Sequence, residues 1–265
     1  MVRTVVVDRQ RVRVSVRPGH GPGLPLVLMN GIGSSLELLD PLVAAFDPAT
    51  TVIRFDVPGT GGSPAPALPY LLVVLARTVG KLLDELGVDR VDVLGISWGG
   101  ALAQQFAWQN PRRCHRLVLV ATTPGVGMIP ARPSVMARMM TPRRHRDPDY
   151  ASEVAGRLYG GVFRRQPERA RTVLHAESRL GPKRGYLFQL MALWGWSSLV
   201  WLPTIRQRAL VIAGRDDPLI PAVNGWLMAA GLPRGTLHLH NDGHLALVTD
   251  GERMAEVIRA FLAPQ

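Results

Sequence analysis

The chain has 265 residues, of which 47% are hydrophobic and 19% charged, which is enough apolar material for one large domain with a buried core. This composition excludes a disordered chain. The formal net charge is +11, and nearly all of the positive charge is arginine, because Lys81 and Lys183 are the only lysines. Two interpretations of the charge stay open: a coding bias toward arginine, or a surface that meets an anionic partner.

The single cysteine, Cys114, cannot form an intrachain disulfide, so the fold needs no oxidising compartment. Residues 1–19 do not have the layout of a signal peptide, because arginines interrupt each apolar run. An uncharged stretch over residues 185–205 is long enough to span a bilayer, but it contains Gln189 and Pro203, and further strands and helices are predicted after it. We therefore expect a cytoplasmic protein without a transmembrane segment.

Strands and helices alternate along most of the chain. Valines alternate with arginine or serine in "RVRVSVR", which together with the preceding "TVVVD" predicts an opening hairpin. Short apolar runs predict buried strands, and longer periodic runs that end at glycine or Asn-Pro predict helices. The predicted strands are 24–30, 51–59, 90–97, 116–122, 208–214 and 235–240, and the predicted helices are 70–87, 99–110, 221–231 and 252–262.

Residues 124–204 lack this alternation and are rich in methionine, arginine and tryptophan. Strands that alternate with helices predict a mostly parallel sheet with helices on both faces. The middle segment is then a helical cap inserted over the carboxyl edge of the sheet, where open α/β folds bind ligands. We predict a core of residues 1–123 and 205–265 and a cap of residues 124–204, which carries most of the net positive charge.

The sequence "GISWG", residues 95–99, matches the G-x-S-x-G pattern between a predicted strand and a predicted helix. In that setting the pattern predicts a sharp turn that lifts the Ser97 hydroxyl clear of the sheet. Small neighbours are needed because strand and helix approach closely, which accounts for Gly95 and Gly99. The helix N-terminus beside the serine favours developing negative charge. Ser97 is therefore the candidate nucleophile.

A serine hydroxyl is a weak nucleophile at neutral pH and needs a base, which is itself oriented by an acid. The loop after the last predicted strand holds His244, the candidate base. Asp217 follows an earlier strand in "DDPLIP", and its spacing to the proline favours it over Asp216 as the acid. His238 and His240 alternate with leucines within a strand, which indicates structural residues.

The tetrahedral intermediate of acyl transfer needs two donors for its oxyanion. The backbone N–H of Trp98, next to the nucleophile, is one candidate. The other is the N–H of Ile32 in the "NGIG" loop, where Gly31 and Gly33 either permit the required backbone turn or form a plain strand-to-loop connection. Asn30 is predicted to help hold this loop and to lie at the substrate site.

No metal-binding spacing of histidines and acids, no Walker loop and no nucleic-acid motif is present in the sequence. The glycine-rich "GTGGSP" follows "FDVPG" as a turn. The sequence thus predicts no cofactor, no metal site and no nucleic-acid partner.

The chain resembles the α/β-hydrolase superfamily, and more narrowly the intracellular depolymerases of medium-chain-length poly(3-hydroxyalkanoate). The resemblance covers nearly the whole chain and is carried by "NGIGSSLELL", "FDVPGTGGS", "GISWGGALAQQFA", "RLVLVATT", "YGGVFRR", "DDPLIP" and "NDGHLALVT". Trp98 directly after the serine is the most telling detail. Ser97, Asp217 and His244 match the family's catalytic positions.

The resemblance implies hydrolysis of a storage polyester through an acyl-enzyme on Ser97. The alternative function is a carboxylesterase or lactonase that acts on small soluble esters. The apolar side chains of the cap, including Trp194 and Trp196, belong either to the core of the cap or to a surface that binds the ester chain. The basic face of the cap is either a solvated surface or a contact with an anionic storage granule.

Overall fold

The computed structural model describes residues 1–175 and 178–263, and its centre is an eight-stranded sheet in the order β1-β2-β4-β3-β5-β6-β7-β8. The strands are β1 (Val2–Val7), β2 (Gln10–Arg17), β3 (Leu26–Met29), β4 (Val52–Phe55), β5 (Val91–Ile96), β6 (Cys114–Val120), β7 (Arg208–Gly214) and β8 (Gly235–His240). The last two have the bounds that the sequence predicted. The α/β-hydrolase architecture expected from the sequence, with its mostly parallel sheet, is confirmed.

The predicted opening hairpin forms an antiparallel edge of the sheet. Asp8 and Arg9 both have positive φ, 48° and 67°, and connect β1 to β2 as a two-residue turn. β2 then pairs antiparallel with β4, whereas the strands from β4 through β8 pair in parallel. The carboxyl ends of these parallel strands therefore meet at one edge, where the loops that carry the candidate site lie.

Helices cover both faces of the sheet, and the central strands are buried on both sides. In β3, Val27 and Met29 join one apolar cluster, whereas Leu26 and Leu28 join the other. This burial on both faces accounts for the continuous apolar runs by which the strands were predicted. The helices are α1 (Asp40–Ala45), α2 (Leu72–Glu85), α3 (Trp98–Gln109), α4 (Pro133–Met139), α5 (Pro148–Leu158), α6 (Arg169–His175), α7 (Lys183–Leu193), α8 (Val223–Gly231), α9 (Ala246–Thr249) and α10 (Gly251–Leu262).

The segment between β6 and β7 contains helices α4 to α7. Its long uncharged stretch is divided: α7 ends at Leu193, and Gly195, with a φ of 71°, lies in the turn that follows. Within residues 1–175 and 178–263, no helix combines the length and the apolar character that crossing a bilayer requires.

The sheet and a helix approach closely where β5 passes into α3. A Cβ atom added at Gly95 would lie 2.3 Å from the carbonyl oxygen of Gly99, and one added at Gly99 would lie 2.1 Å from the carbonyl oxygen of Met29. Both obstacles are backbone atoms, which cannot rotate away. The two glycines of the G-x-S-x-G pattern are therefore required by contact between backbones, as the sequence predicted.

Replacement of Gly99 by alanine tests this contact. Alanine is favoured over glycine inside a helix by about 1 kcal/mol, so a gain in stability is expected if the contact is unimportant. We expect instead that Gly99→Ala lowers the free energy of unfolding by about 1–3 kcal/mol, because the added methyl group overpacks the β5–α3 contact. Urea denaturation measures the change.

Gly23→Ala is the matched control. A Cβ at Gly23 meets no atom within 4 Å, so the expected change is within about 0.5 kcal/mol. Equal urea midpoints for the two variants would contradict the account.

Candidate active site

Ser97 occupies the strained turn that its sequence motif predicts. Its φ and ψ are 54° and −121°, a conformation that non-glycine residues rarely adopt. The surrounding structure enforces it: Ser97 N–H donates to the carbonyl oxygen of Val120 at 2.9 Å, and the Ser97 carbonyl accepts from the Thr122 hydroxyl at 2.7 Å. The serine side chain is thereby held at the N-terminus of α3.

Asp217 and His244 lie together, although 27 residues separate them in the chain. Oδ2 of Asp217 and Nδ1 of His244 are 2.7 Å apart, and both side chains are buried. Oδ1 of Asp217 accepts from the backbone N–H groups of Leu219 and Ile220, at 2.9 and 2.8 Å. The carboxylate is therefore fixed on both oxygens, and it holds the imidazole with Nε2 as the nitrogen left for chemistry.

The neighbouring acid, Asp216, has a different partner. Both of its carboxylate oxygens accept from Arg164 at 2.6–2.9 Å, and Oδ2 also accepts from the N–H of Gly161. Asp242, in the loop before His244, accepts from the N–H groups of Val162 and Gly243. The geometry thus assigns these two acids to holding loops together.

Ser97 and His244 line one small cavity of about 30 Å³ under the segment between β6 and β7. Within the described part of the chain, no hydrogen bond joins the Ser97 hydroxyl to the imidazole. Catalytic hydrogen bonds are often long in a ligand-free enzyme and tighten when substrate binds. A shared cavity is the arrangement that an attack by Ser97, assisted by His244, requires.

The loop after β3 presents the second candidate oxyanion donor. Within the described ranges, the backbone N–H groups of Ile32 and Trp98 donate to no protein acceptor. Asn30 supports this loop, because its Nδ2 donates to the carbonyl of Ser35 at 2.6 Å and its Oδ1 accepts from Gly31 at 2.8 Å. The loop is thus held in place with the backbone N–H of Ile32 unpaired among the described residues.

Gln189 in α7 is a supporting residue that sequence analysis did not identify. Its Oε1 accepts from the N–H of Gly33 at 2.8 Å, and its carbonyl oxygen accepts from Trp98 Nε1 at 2.8 Å. One residue therefore contacts both halves of the candidate oxyanion site. It is 1% exposed, and the available signal was a single amide in the apolar run "YLFQLMALW".

The three side chains predicted to contact substrate do not line the Ser97 cavity. Asn30 uses both polar atoms within its loop. Trp194 is 87% exposed at the end of α7, and Trp196 is half-buried, with its Nε1 donating to Gln105 Oε1 at 2.8 Å. Their assignment to substrate binding stays a prediction.

Sequence analysis also missed a cluster of buried polar side chains, formed by Arg144, His145, Tyr159 and Tyr186. Arg144 donates to the hydroxyl groups of Tyr159 and Tyr186, each at 2.9 Å. The Tyr159 ring stacks on the His244 ring with 6.2 Å between centroids, and its carbonyl accepts from the His244 N–H. Arg144 and its neighbour His145 both line the Ser97 cavity. Only their position in an arginine-rich stretch was visible in the sequence.

Burial affects the pKa of Arg144, His145 and Tyr159 in this cluster. Burial lowers the pKa of His145 well below its usual value, and the nearby Arg144 charge lowers it further, so the imidazole is neutral. Burial also acts to lower the pKa of Arg144, but the two tyrosine hydroxyls outweigh it, and the guanidinium stays charged. Burial raises the pKa of Tyr159, which keeps its hydroxyl neutral.

Among the residues that the structure describes, no three His, Cys, Asp or Glu side chains lie close enough together to hold a metal ion.

Comparison with known proteins identifies the family. A family model for the alpha/beta hydrolase fold matches residues 25–250. A poly(3-hydroxyalkanoate) depolymerase of Ectopseudomonas oleovorans is 49% identical, with 98% of this chain and 92% of that protein covered. A 3-oxoadipate enol-lactonase of Acinetobacter baylyi is 26% identical over 89% of this chain and 88% of its own.

Solved structures show the same fold. An enol-lactonase from Burkholderia xenovorans superimposes with a TM-score of 0.82 at 24% identity, over 98% of this chain and 99% of its own. The chain belongs to the α/β-hydrolase fold family. The predicted enzyme class, an ester hydrolase, is confirmed.

Because His145 is neutral in the folded protein, we expect the free energy of unfolding to depend on pH. Its pKa in the folded protein lies below the value of about 6.5 expected for the unfolded chain. As the pH falls through 6.5, the unfolded chain therefore takes up a proton that the folded protein does not. The free energy of unfolding should decrease by at most about 1.4 kcal/mol per pH unit from this group.

Urea denaturation between pH 7.5 and 5.5 measures the effect, with His145→Gln for comparison. Other histidines and acids contribute to the slope in both proteins, so the difference between the two slopes isolates His145. A His145→Gln protein that loses stability as steeply as the parent would contradict the prediction.

Proposed function

We propose that this chain is a serine esterase that hydrolyses poly(3-hydroxyalkanoate) of medium chain length through an acyl-enzyme on Ser97. The observation that carries the proposal is the Asp217–His244 pair, which opens on the same cavity as the strained Ser97. The 49% identity to a depolymerase of this polymer supports the substrate class.

The reaction proceeds in two balanced halves. In acylation, Nε2 of His244 takes the hydroxyl proton as Ser97 Oγ attacks the ester carbonyl, and the same proton passes to the departing alcohol oxygen. In deacylation, His244 takes a proton from water as the hydroxide attacks the acyl carbon, and then returns it to Ser97. The sum is ester plus water giving an acid and an alcohol, with Asp217 stabilising the imidazolium in both halves.

The two unpaired N–H groups of Ile32 and Trp98 supply the oxyanion hole in this mechanism. Negative charge develops on the carbonyl oxygen only as the tetrahedral intermediate forms, so donors fixed in advance lower the barrier rather than strengthen substrate binding. A donor of this kind is worth about 3 kcal/mol of barrier. Gln189 and Asn30 keep the loop in place.

Residues 124–204 form the cap in this proposal, and residues 1–123 and 205–265 form the core. Met139, Arg144, Tyr159 and Leu174 of the cap line the cavity that holds Ser97. The cap therefore closes over the reacting atoms, and a polymer chain enters only when it moves. Its outer surface exposes apolar side chains, among them Trp194 at 87% and Val200 at 90%, which suits a water-insoluble polyester.

The basic face of the cap is the proposed contact with an anionic granule surface. A cleft of about 700 Å³ at the edge of the cap is lined by five arginines, Arg132, Arg138, Arg157, Arg164 and Arg215. Only Arg164 pairs with an acid in the described part of the chain, its partner being Asp216. The remaining charge is available to an anionic partner.

A small soluble ester or lactone is the second candidate substrate. The cavity of about 30 Å³ favours it, because that space admits only a small group unless the cap opens. The enol-lactonase at 26% identity is consistent with it. Rates on suspended medium-chain and short-chain polymer and on p-nitrophenyl esters of increasing length separate the two candidates: release of 3-hydroxyacids from polymer supports the first, and turnover of short esters alone supports the second.

Substitutions at the triad test the mechanism. Ser97→Ala should remove ester turnover while the fold stays intact, and Asp217→Asn should lower kcat by about 10⁴-fold because the imidazole loses its orientation and its charge partner. Asp216→Asn makes the same chemical change one residue away and should retain turnover. Circular dichroism checks the fold, and p-nitrophenyl ester hydrolysis measures the rate. Retained activity in Ser97→Ala would overturn the proposal.

The granule contact predicts a difference in salt dependence. Raising NaCl from 0.05 to about 0.5 M shortens the range of exposed charges to a few ångströms. Granule binding should therefore weaken more than hydrolysis of a soluble ester. Co-sedimentation with purified granules measures binding.

The triple variant Arg132→Gln, Arg138→Gln, Arg157→Gln should bind granules more weakly at low salt. Its matched control removes three exposed arginines of the core, Arg77, Arg112 and Arg259. Equal salt sensitivity of binding and hydrolysis, or equal binding by both triple variants, would remove the granule contact from the proposal.

A further inference from the structure

Arg144 is a buried cation at the catalytic cavity, and the proposed mechanism does not use it. It is 2% exposed and lines the same cavity as Ser97 and His244. Its partners among the described residues are neutral: the hydroxyls of Tyr159 and Tyr186 and the carbonyl oxygen of Thr141. No carboxylate within residues 1–175 and 178–263 forms an ion pair with it.

The other well-buried arginines of the protein are paired. Arg13, 9% exposed, contacts the carboxylates of Glu37 and Asp56, and Arg54, also 9% exposed, contacts Asp40. This is the normal arrangement, because a buried charge without a counter-charge costs several kcal/mol. Arg144 departs from this pattern among the described residues, and it lines a cavity in which a bound ligand would supply a negative charge.

The guanidinium of Arg144 also has an N–H donor that no described protein acceptor uses. Its Nε and Nη1 donate to protein oxygens. Its Nη2 donates to no described residue. Nη2 is also not one of the fully buried polar atoms that lack a hydrogen-bond partner. An arginine held in this way on two atoms keeps a third nitrogen that no described acceptor uses, and the residue lines the cavity. Carboxylates are the oxygen acceptors that such a planar donor set fits best.

The position of Arg144 is coupled to the catalytic base. Tyr159 stacks on the His244 ring and accepts a hydrogen bond from Arg144 through its hydroxyl. The cation and the imidazole are therefore held by the same side chain. A ligand on Arg144 lies beside the atoms that react.

We propose that Arg144 binds the terminal carboxylate of an acid-ended oligoester and so directs hydrolysis to the last ester bond of the chain. This inference rests on the proposed function. In a 3-hydroxyacid unit, two carbon atoms separate the carboxylate from the oxygen of the scissile ester. The anchor and the reacting bond can therefore both lie at the cavity that Arg144, Ser97 and His244 share, once the cap opens to admit the chain.

Each cycle of hydrolysis regenerates the terminal carboxylate that Arg144 is proposed to bind. Acylation releases the terminal unit as a 3-hydroxyacid, whose alcohol oxygen takes the proton from His244 while its carboxylate stays ionised on Arg144. Deacylation by water then creates a carboxylate on the shortened chain. That new end is again a substrate for Arg144, so one unit is removed in each cycle.

A pair of matched substrates tests the anchor: the 3-hydroxyoctanoate dimer with a free terminal carboxylate, and the same dimer with a terminal primary amide. The amide has the shape of the acid without its charge. The unmodified enzyme should favour the acid by about tenfold to a hundredfold in kcat/KM, mainly through KM, because a charge-assisted hydrogen bond is lost with the amide.

Arg144→Gln should bring this ratio close to one, whatever its absolute rate, and Arg144→Lys should keep part of it. The control is Arg77→Gln, which removes an exposed arginine of α2 and should keep the ratio of the parent. A parent enzyme without preference for the acid, or an Arg144→Gln variant with the full preference, would overturn the proposal.

A second measurement does not depend on the folding of any Arg144 variant. Calorimetric titration of the Ser97→Ala protein should show binding of 3-hydroxyoctanoate at least about tenfold tighter than of 3-hydroxyoctanamide. Equal affinities would refute the anchor. If the carboxylate binds selectively but neither dimer is hydrolysed by the unmodified enzyme, the anchor stands and the polyester function fails.

Discussion

The backbone contact between β5 and α3 is the constraint on which the candidate site depends. Because Gly95 and Gly99 let strand and helix meet at van der Waals distance, the chain between them turns within one residue, and Ser97 takes a positive φ. The bonds to Val120 and Thr122 stabilise that strain. A looser contact would relax the turn, and the hydroxyl would no longer stand at the start of the helix.

The loop after β3 is fixed by long-range polar contacts as well as by the local hydrogen bonds of Asn30. Leu36 N–H donates to Asp56 Oδ1 at 2.7 Å, which ties the loop to the end of β4, and Gly33 N–H donates to Gln189 on α7. Burial raises the pKa of Asp56, and the hydrogen bonds from Gly62 and Arg13 oppose this shift. The unused N–H of Ile32 is thus held between the core and the segment above it.

Sequence analysis predicted all eight strands and the helices α2, α3, α8 and α10 because those signals are local. The catalytic roles of Ser97, Asp217 and His244 stay a prediction. Strand ends, a glycine-bounded serine and the spacing in "DDPLIP" each act over a few residues, and the structure brings Asp217, not Asp216, to His244. Arg144 and Gln189 were missed because their partners lie 42 and 156 residues away along the chain. No periodic pattern encodes such contacts, and among the many arginines of residues 124–204 nothing in the sequence marks Arg144 as buried.

The arginines of the segment between β6 and β7 therefore fall into two classes: those at least partly exposed, and the buried Arg144. Most of its arginines stand at the surface, where water screens them and one lost charge changes little. Arg144 is buried, and it is held by the Tyr159 hydroxyl beside the imidazole of His244, the candidate base. Since the interaction between charges strengthens as the effective dielectric falls, this single guanidinium is the charge that we propose selects the ligand, and the surface charge is the part that we propose meets an anionic granule.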